Sequence, residues 1–319
     1  MAMLTAPRVD FWVIGHRGSP EWEVENTIGS FERALADGAN GLELDLCVTA
    51  DEEVVVWHDE DPREWRARFR RLGLEPVVRY RPYAPSERRF RRPVSELTLD
   101  ELRTHFGYTK GLYGKRLPVR IPTLSEFVEW AGDQETLGLV VLDVKVPAQR
   151  EDPMKALVRR LDELVERSGT RFEILLETPT APAASLLSRL APRYARALDV
   201  EPRPGVVLDF ERHSAVHAAI AHGLTHALPQ RPRSITLFPF ATHRRIVKED
   251  LGRVASHNAG STDVTIEGVC SFTINHPREM RELIELGVWG IQSDRPALLR
   301  RVAIDCGRRV DAFGTRSAS

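Results

Sequence analysis

Cysteine is scarce in this chain: Cys47, Cys270 and Cys306 are the only three in 319 residues, odd in number and far apart. That excludes a disulfide-stapled scaffold and fits a reduced, cytoplasmic protein in which each cysteine is a small apolar filler. Long hydrophobic runs are missing too. No stretch approaches the ~20 apolar residues of a membrane-spanning helix. The opening Met1 to Arg8 has no basic segment followed by an apolar one, so no secretory signal is expected. Neither sign of charge dominates: 45 basic residues against 46 acidic ones leave a formal net charge of −1. That balance argues against a general nucleic-acid or membrane-surface binder, but it does not exclude a local basic patch.

What is present is an ordinary soluble composition, 42% hydrophobic and 29% charged. The length would allow two domains, but an α/β barrel can take ~250 residues or more as one unit. The chain is organised around residues 11–59. A strand at 11–16 puts Trp12, Ile14 and His16 on one side, with Gly15 and Gly18 allowing close backbone approach around His16-Arg17. A helix follows, with Asn26 as its expected N-cap and Ile28, Phe31, Ala34 and Leu35 at helical spacing up to Gly38. The next strand, 41–47, alternates Leu42, Leu44 and Leu46 with Glu43 and Asp45. With helices covering the leucine face, the acids face the inside of a barrel or cleft, where paired carboxylates need a cation. Five residues then lead into a second extended run, 54–58. That is too short for a parallel crossover, so it predicts a hairpin carrying His58 back toward the acids.

Residues 60–96 differ in character, with eleven arginines against three glutamates between Arg63 and Arg92. They read as an inserted, partly irregular cap, either solvated or recognising an additional anionic group. Beyond it, Thr123 to Glu126 form a capping box. Strands are expected at 138–145, 172–177, 195–200, 234–239, 268–274 and 289–293, with helices between them. The helix after 138–145 should start around Asp152-Pro153, and Asp294 should cap the last helix. Eight strands alternating with about eight helices predict a TIM (β/α)8 barrel, with active residues at the carboxyl ends of its strands. The expected organisation is a single domain over 1–311, with 60–96 inserted and a disordered tail at 312–319. The pairs His213/His217 and His222/His226 have metal-binding spacing but no accompanying carboxylate, and read as helix surface.

Ringed at the strand ends are His16 and Arg17, Glu43 and Asp45, Asp143 and Lys145, and Asn275, with His58 brought in by the hairpin. Three carboxylates supply hard oxygen ligands for one Mg²⁺ or Ca²⁺. Two histidines can act as base and acid across a phosphorus atom. Arg17 and Lys145 can neutralise phosphate oxygens. Asn275 stands near substrate or caps the following helix.

The pattern resembles the glycerophosphodiester phosphodiesterase family. The resemblance rests on His16-Arg17-Gly18, Glu25-Asn26-Thr27, Gly38-Ala39, Glu43-Leu44-Asp45, His58-Asp59, Ile121 to Leu124, Asp143-Val144-Lys145 and Gly290 to Pro296. It implies a TIM barrel with a divalent metal on Glu43, Asp45 and Asp143, and His16 and His58 as the acid–base pair. The implied reaction releases glycerol 3-phosphate and an alcohol, with water or the substrate's own neighbouring hydroxyl as nucleophile. The Arg-Thr-Thr element usual after the His-Asp pair is absent, and the arginine-rich segment stands in its place. Aspartate at the third ligand is a feature of the sphingomyelinase-D-like branch, so a phospholipase-D-like cleavage of lysophospholipids is the alternative. A non-catalytic barrel binding an anionic ligand is the alternative from another class.

Overall fold

The computed structural model describes residues 10–111, 114–200, 214–231, 239–260 and 264–310. In chain order they form strands β1 (Trp12–Gly15), β2 (Gly41–Val48), β3 (Val54–Val56), β4 (Arg81–Tyr83), β5 (Gly107–Thr109), β6 (Leu139–Val144), β7 (Glu173–Thr178), β8 (Ala195–Val200), β9 (His226–Pro229), β10 (Gly268–Ser271) and β11 (Gly290–Ser293). The helices are α1 (Ile28–Ala36), α2 (Trp65–Arg71), α3 (Leu99–His105), α4 (Leu124–Gly132), α5 (Glu151–Ser168), α6 (Ala181–Leu190), α7 (Ala215–Ala221), α8 (Pro239–Asn258), α9 (Pro277–Leu286) and α10 (Pro296–Asp305). None is long and apolar enough to cross a membrane.

Eight strands pair in parallel in the order β1, β11, β10, β9, β8, β7, β6, β2, and β2 returns to β1, which closes the barrel. β3 folds back antiparallel on β2, opposing Leu46 to Val56, as the hairpin expectation required. Strand alternation then sorts the side chains. Leu42, Leu44 and Leu46 point outward into a core shared with Phe31, Phe127, Leu157 and Leu283 of the helices. Inside, Trp12, Ile14, Leu139, Val141, Leu175, Leu228 and Phe272 fill one end of the barrel as an apolar plug. Above that plug the interior turns polar. The register sets Asp45 beside Asp143, and Asp143 beside Glu177, so three adjacent strands place carboxylates at one level.

Residues 60–96 contribute α2 and β4, which pairs antiparallel with β5, and a satellite core forms beneath them from Trp57, Val94, Leu97, Leu102, Phe106 and Tyr108. The capping box at Thr123 is formed, with Glu126 reaching back to the Thr123 amide. Gly287 ends α9 in the left-handed region at φ 94°, where a side chain would be strained.

Several local expectations are corrected. The sixth barrel strand is His226–Pro229 rather than 234–239; residues 232–238 lie outside the described residues, and Pro239 already belongs to α8. Parallel pairing with β8 on one side and β10 on the other places His226–Pro229 in the barrel. α5 begins at Glu151, so Pro153 is its third residue. The N-cap of α1 is Thr27, whose hydroxyl accepts from the Ser30 amide. Asp294 does not cap α10: its N-cap is Arg295, without a side-chain bond. Asn26 and Asp294 are both committed to the barrel mouth instead. His226 is buried in the barrel, packed edge-on against Trp289, rather than on a helix surface. Its i−4 neighbour His222 bonds Ser185, and His213 is outside the described residues.

Candidate active site

His16, Arg17 and Gly18 leave β1 through a turn in which Arg17 (φ 51°) and Gly18 (φ 90°) are left-handed. For arginine that backbone costs about 1–2 kcal/mol. It is held in place by the Arg17 amide, which donates to Glu43 Oε2 at 2.8 Å. The turn directs both side chains into the barrel mouth.

There Glu43, Asp45 and Asp143 each offer an oxygen, and those oxygens lie within 4.8 Å of one another. All three residues are buried. Among the described residues, Asp143 Oδ1 has no hydrogen-bond partner, and Asp45 Oδ1 has only the Lys145 ammonium at 3.1 Å. Lys145 also pairs with Asp143. Arg17 Nε lies 3.0 Å from Asp45 Oδ2, which Asn26 Nδ2 approaches to 2.7 Å. Three buried carboxylates with free oxygen lone pairs fit a hard divalent cation. The same donor set does not distinguish Mg²⁺ from Ca²⁺.

Electrostatics separates the three acids. Burial, then the Asp45 charge, pushes Glu43 up to about 8. Burial would raise Asp45 too, but Arg17, His58 and Lys145 outweigh it and hold Asp45 well below the usual carboxylate range. Asp143 is raised, by burial and by Asp45, against the pull of Lys145.

The two histidines are built alike and tuned apart. His16 Nδ1 meets Asp294 Oδ1 at 2.7 Å, and its Nε2 stands 3.9 Å from Glu43. Asp294 is fixed in turn by Asn275, whose amide donates to Asp294 Oδ2 at 2.5 Å and whose carbonyl accepts from the Asp294 backbone at 2.9 Å. His58 Nδ1 meets Asp59 Oδ1 at 2.7 Å. Behind Asp59 stands Arg70, brought in from the arginine-rich segment by α2. Its Nη1 donates to the same Asp59 oxygen at 2.7 Å, its Nε to Glu75 at 3.0 Å, and its Nη2 to Glu25. Glu25 also receives Arg17 Nη1 at 3.0 Å. Burial and Arg17 depress His16, but Asp294 and Glu43 prevail and its pKa is raised. Burial, Arg70 and Arg17 hold His58 well below its ordinary value.

All the residues singled out at the strand ends therefore meet at one mouth, apart from Asn275, whose amide is taken up behind His16. The sequence reading missed Arg70, Glu75, Glu25, Asp59 and Asp294 as supports. It also missed Glu177, a buried acid at the end of β7 that accepts from Gln292 at 3.1 Å. Its signal was available: an acid ends the strand 172–177 as Asp143 ends the strand before it.

Comparison with known proteins agrees with this geometry. The model of the glycerophosphoryl diester phosphodiesterase family matches residues 16–231. A glycerophosphodiester phosphodiesterase of Caldanaerobacter subterraneus is 34% identical over 149 residues, 46% of this chain and 51% of its own. Among solved structures, a glycerophosphodiester phosphodiesterase of Parabacteroides distasonis superposes with a TM-score of 0.62 at 19% identity, covering 94% of this chain and all of the other. A phosphodiesterase of Oleispira antarctica, solved with the product sn-glycerol-3-phosphate, superposes with a TM-score of 0.61 at 20% identity, covering 94% and 97% of the two chains. At those identities the structural likeness is one of fold.

Proposed function

The chain belongs to the glycerophosphoryl diester phosphodiesterase family, a family of enzymes, and from that premise we propose that it hydrolyses glycerophosphodiesters to glycerol 3-phosphate and an alcohol, using one divalent cation and the pair His16 and His58. The observation that carries this reading is the triad of buried carboxylates within 4.8 Å of one another, between two histidines that each rest on a carboxylate of their own.

Glu43, Asp45 and Asp143 would hold the cation, which when bound supplies charge stabilisation at the phosphoryl oxygens. The protein's own groups do the rest. Arg17 and Lys145 stand at the same acids and add positive charge beside a bound phosphodiester. Asp294 and Asp59 orient the imidazoles through Nδ1, which leaves each Nε2 to exchange a proton with substrate. One histidine takes the proton of the nucleophile, and the other gives a proton to the leaving alkoxide. Asn275 and Arg70 keep the two carboxylates in place.

Lysophospholipids are a second substrate class, with the same bond cleaved but an acyl chain on the glycerol. One observation favours them: Trp65, Phe69 and Leu72 are exposed on the helix that delivers Arg70. The test is product release from a panel of glycerophosphodiesters and lysophospholipids, with and without EDTA and re-added Mg²⁺ or Ca²⁺. Metal-dependent glycerol 3-phosphate, lost in folded His16→Ala and His58→Ala variants, supports the assignment. Retained turnover in either variant refutes it.

A further inference from the structure

α2 has two faces of opposite purpose. At 100° per residue, Trp65, Phe69 and Leu72 fall within about 60° of arc. Ala67 and Arg70 lie on the far side and are the buried residues of the helix. A short amphipathic helix normally turns its apolar stripe inward. Here the buried face is led by an arginine bound to three carboxylates, and the apolar stripe faces out. Trp65 is 60% exposed, Phe69 40%, Leu72 53% and nearby Leu74 51%.

Cations frame that stripe. Arg66 and Arg68 flank it and are exposed, and the Arg66 guanidinium stands 5.6 Å over the Trp65 ring. Glu64 is the single acid among residues 63–72, against five arginines. Aromatic and aliphatic side chains bordered by arginine suit the boundary between acyl chains and anionic headgroups. The patch is too small for a stable protein partner. Its four side chains offer on the order of a few hundred Å², where a standard interface needs ~800 Å² per side.

We propose that the outer face of α2 docks this protein onto the surface of bilayers containing anionic phospholipid. Trp65, Phe69 and Leu72 enter the interfacial layer, while Arg66 and Arg68 meet headgroup phosphates. The inner face of the same helix holds Asp59 beneath His58, so docking puts a lipid surface on the opposite face of the helix that supports the candidate catalytic histidine.

The test is co-sedimentation of the full chain with phosphatidylcholine vesicles, pure or containing one-third phosphatidylglycerol. Binding is read without turnover, so it stands or falls separately from the phosphodiesterase assignment. The expected result is partition at least about tenfold stronger onto the anionic vesicles. A Trp65→Ser/Phe69→Ser/Leu72→Ser variant should fall to background while turning over a soluble glycerophosphodiester as the parent does. An Arg66→Gln/Arg68→Gln variant should lose the preference for phosphatidylglycerol. Three results overturn the proposal: no preference in the parent, either variant binding as the parent does, or light scattering that shows a dimer split by the serine variant, which would assign the face to a second copy.

Discussion

Replacing Arg70 with alanine should both loosen the fold and slow the chemistry. The guanidinium is only 4% exposed and bonds Asp59, Glu75 and Glu25. Removing one partner of a buried ionic set costs about 3–5 kcal/mol, chiefly because the remaining charges stay buried without compensation. The loss should depend on pH in a defined direction. Without Arg70, Glu75 loses the largest charge opposing its burial, and its folded pKa climbs. The folded variant then takes up protons as the pH falls, and its deficit shrinks on the acid side. His58 loses the second-largest influence on its pKa, after burial, so that pKa climbs back toward the ordinary range. With Asp59 no longer pinned, kcat should fall about ten- to a hundredfold. Urea unfolding of parent and variant at pH 5 and pH 8, with steady-state kinetics on the folded variant, measures all of this. A conservative Arg70→Lys change keeps charge but not the three-way fork, and should lie between the two. If Arg70→Ala stays within about 1 kcal/mol of the parent at both pH values with unchanged kcat, the claim that the arginine-rich segment supports the site is wrong.

Other expectations follow from the same structure. Asp294→Ala should cost about a hundredfold or more in kcat with little change in KM, because it orients His16 without touching substrate. Asn275→Ala should give a smaller loss of the same kind, and equal losses in KM for either would refute the positioning role. Saturating Mg²⁺ or Ca²⁺ should raise thermal stability, by about 2.7 kcal/mol at a hundredfold excess over Kd, and a Glu43→Gln/Asp143→Asn variant should show no shift by calorimetry. Buried His226 and His243 carry pKa values lowered by burial to about 4 and about 3 from an ordinary 6.5. Between pH 6.5 and about 4 the unfolded chain binds these protons and the folded one does not. Stability should therefore drop as pH falls, by ~1.4 kcal/mol per pH unit for each histidine. A His226→Leu variant that keeps the full slope would count against that account.

How far the sequence could be read depended on the range of the interaction. The barrel and the convergence of Glu43, Asp45, Asp143, His16 and His58 follow from a local rule: strands covered by helices must turn their alternate polar residues inward. Asn26 and Asp294 defeated a local reading because a residue suited to capping is equally suited to a bond across 19 or 278 positions. Arg70 was hidden by its surroundings. Composition marks an arginine-rich segment but not which of eleven arginines turns inward, since that depends on where Glu25, Asp59 and Glu75 lie in space. The strand His226–Pro229 was overlooked because four residues carry too little pattern to compete with the apolar run after them.

The apolar plug formed by Trp12, Ile14, Leu139, Val141, Leu175, Leu228 and Phe272 makes the barrel a blind well. Nothing passes through it, so a cleaved substrate must leave by the rim it entered. Alcohol and phosphate monoester share one exit, and the second to depart should compete directly with incoming substrate. The architecture thus ties the rate of emptying to the same rim on which α2 sits, and a change there can alter turnover without touching a reacting atom.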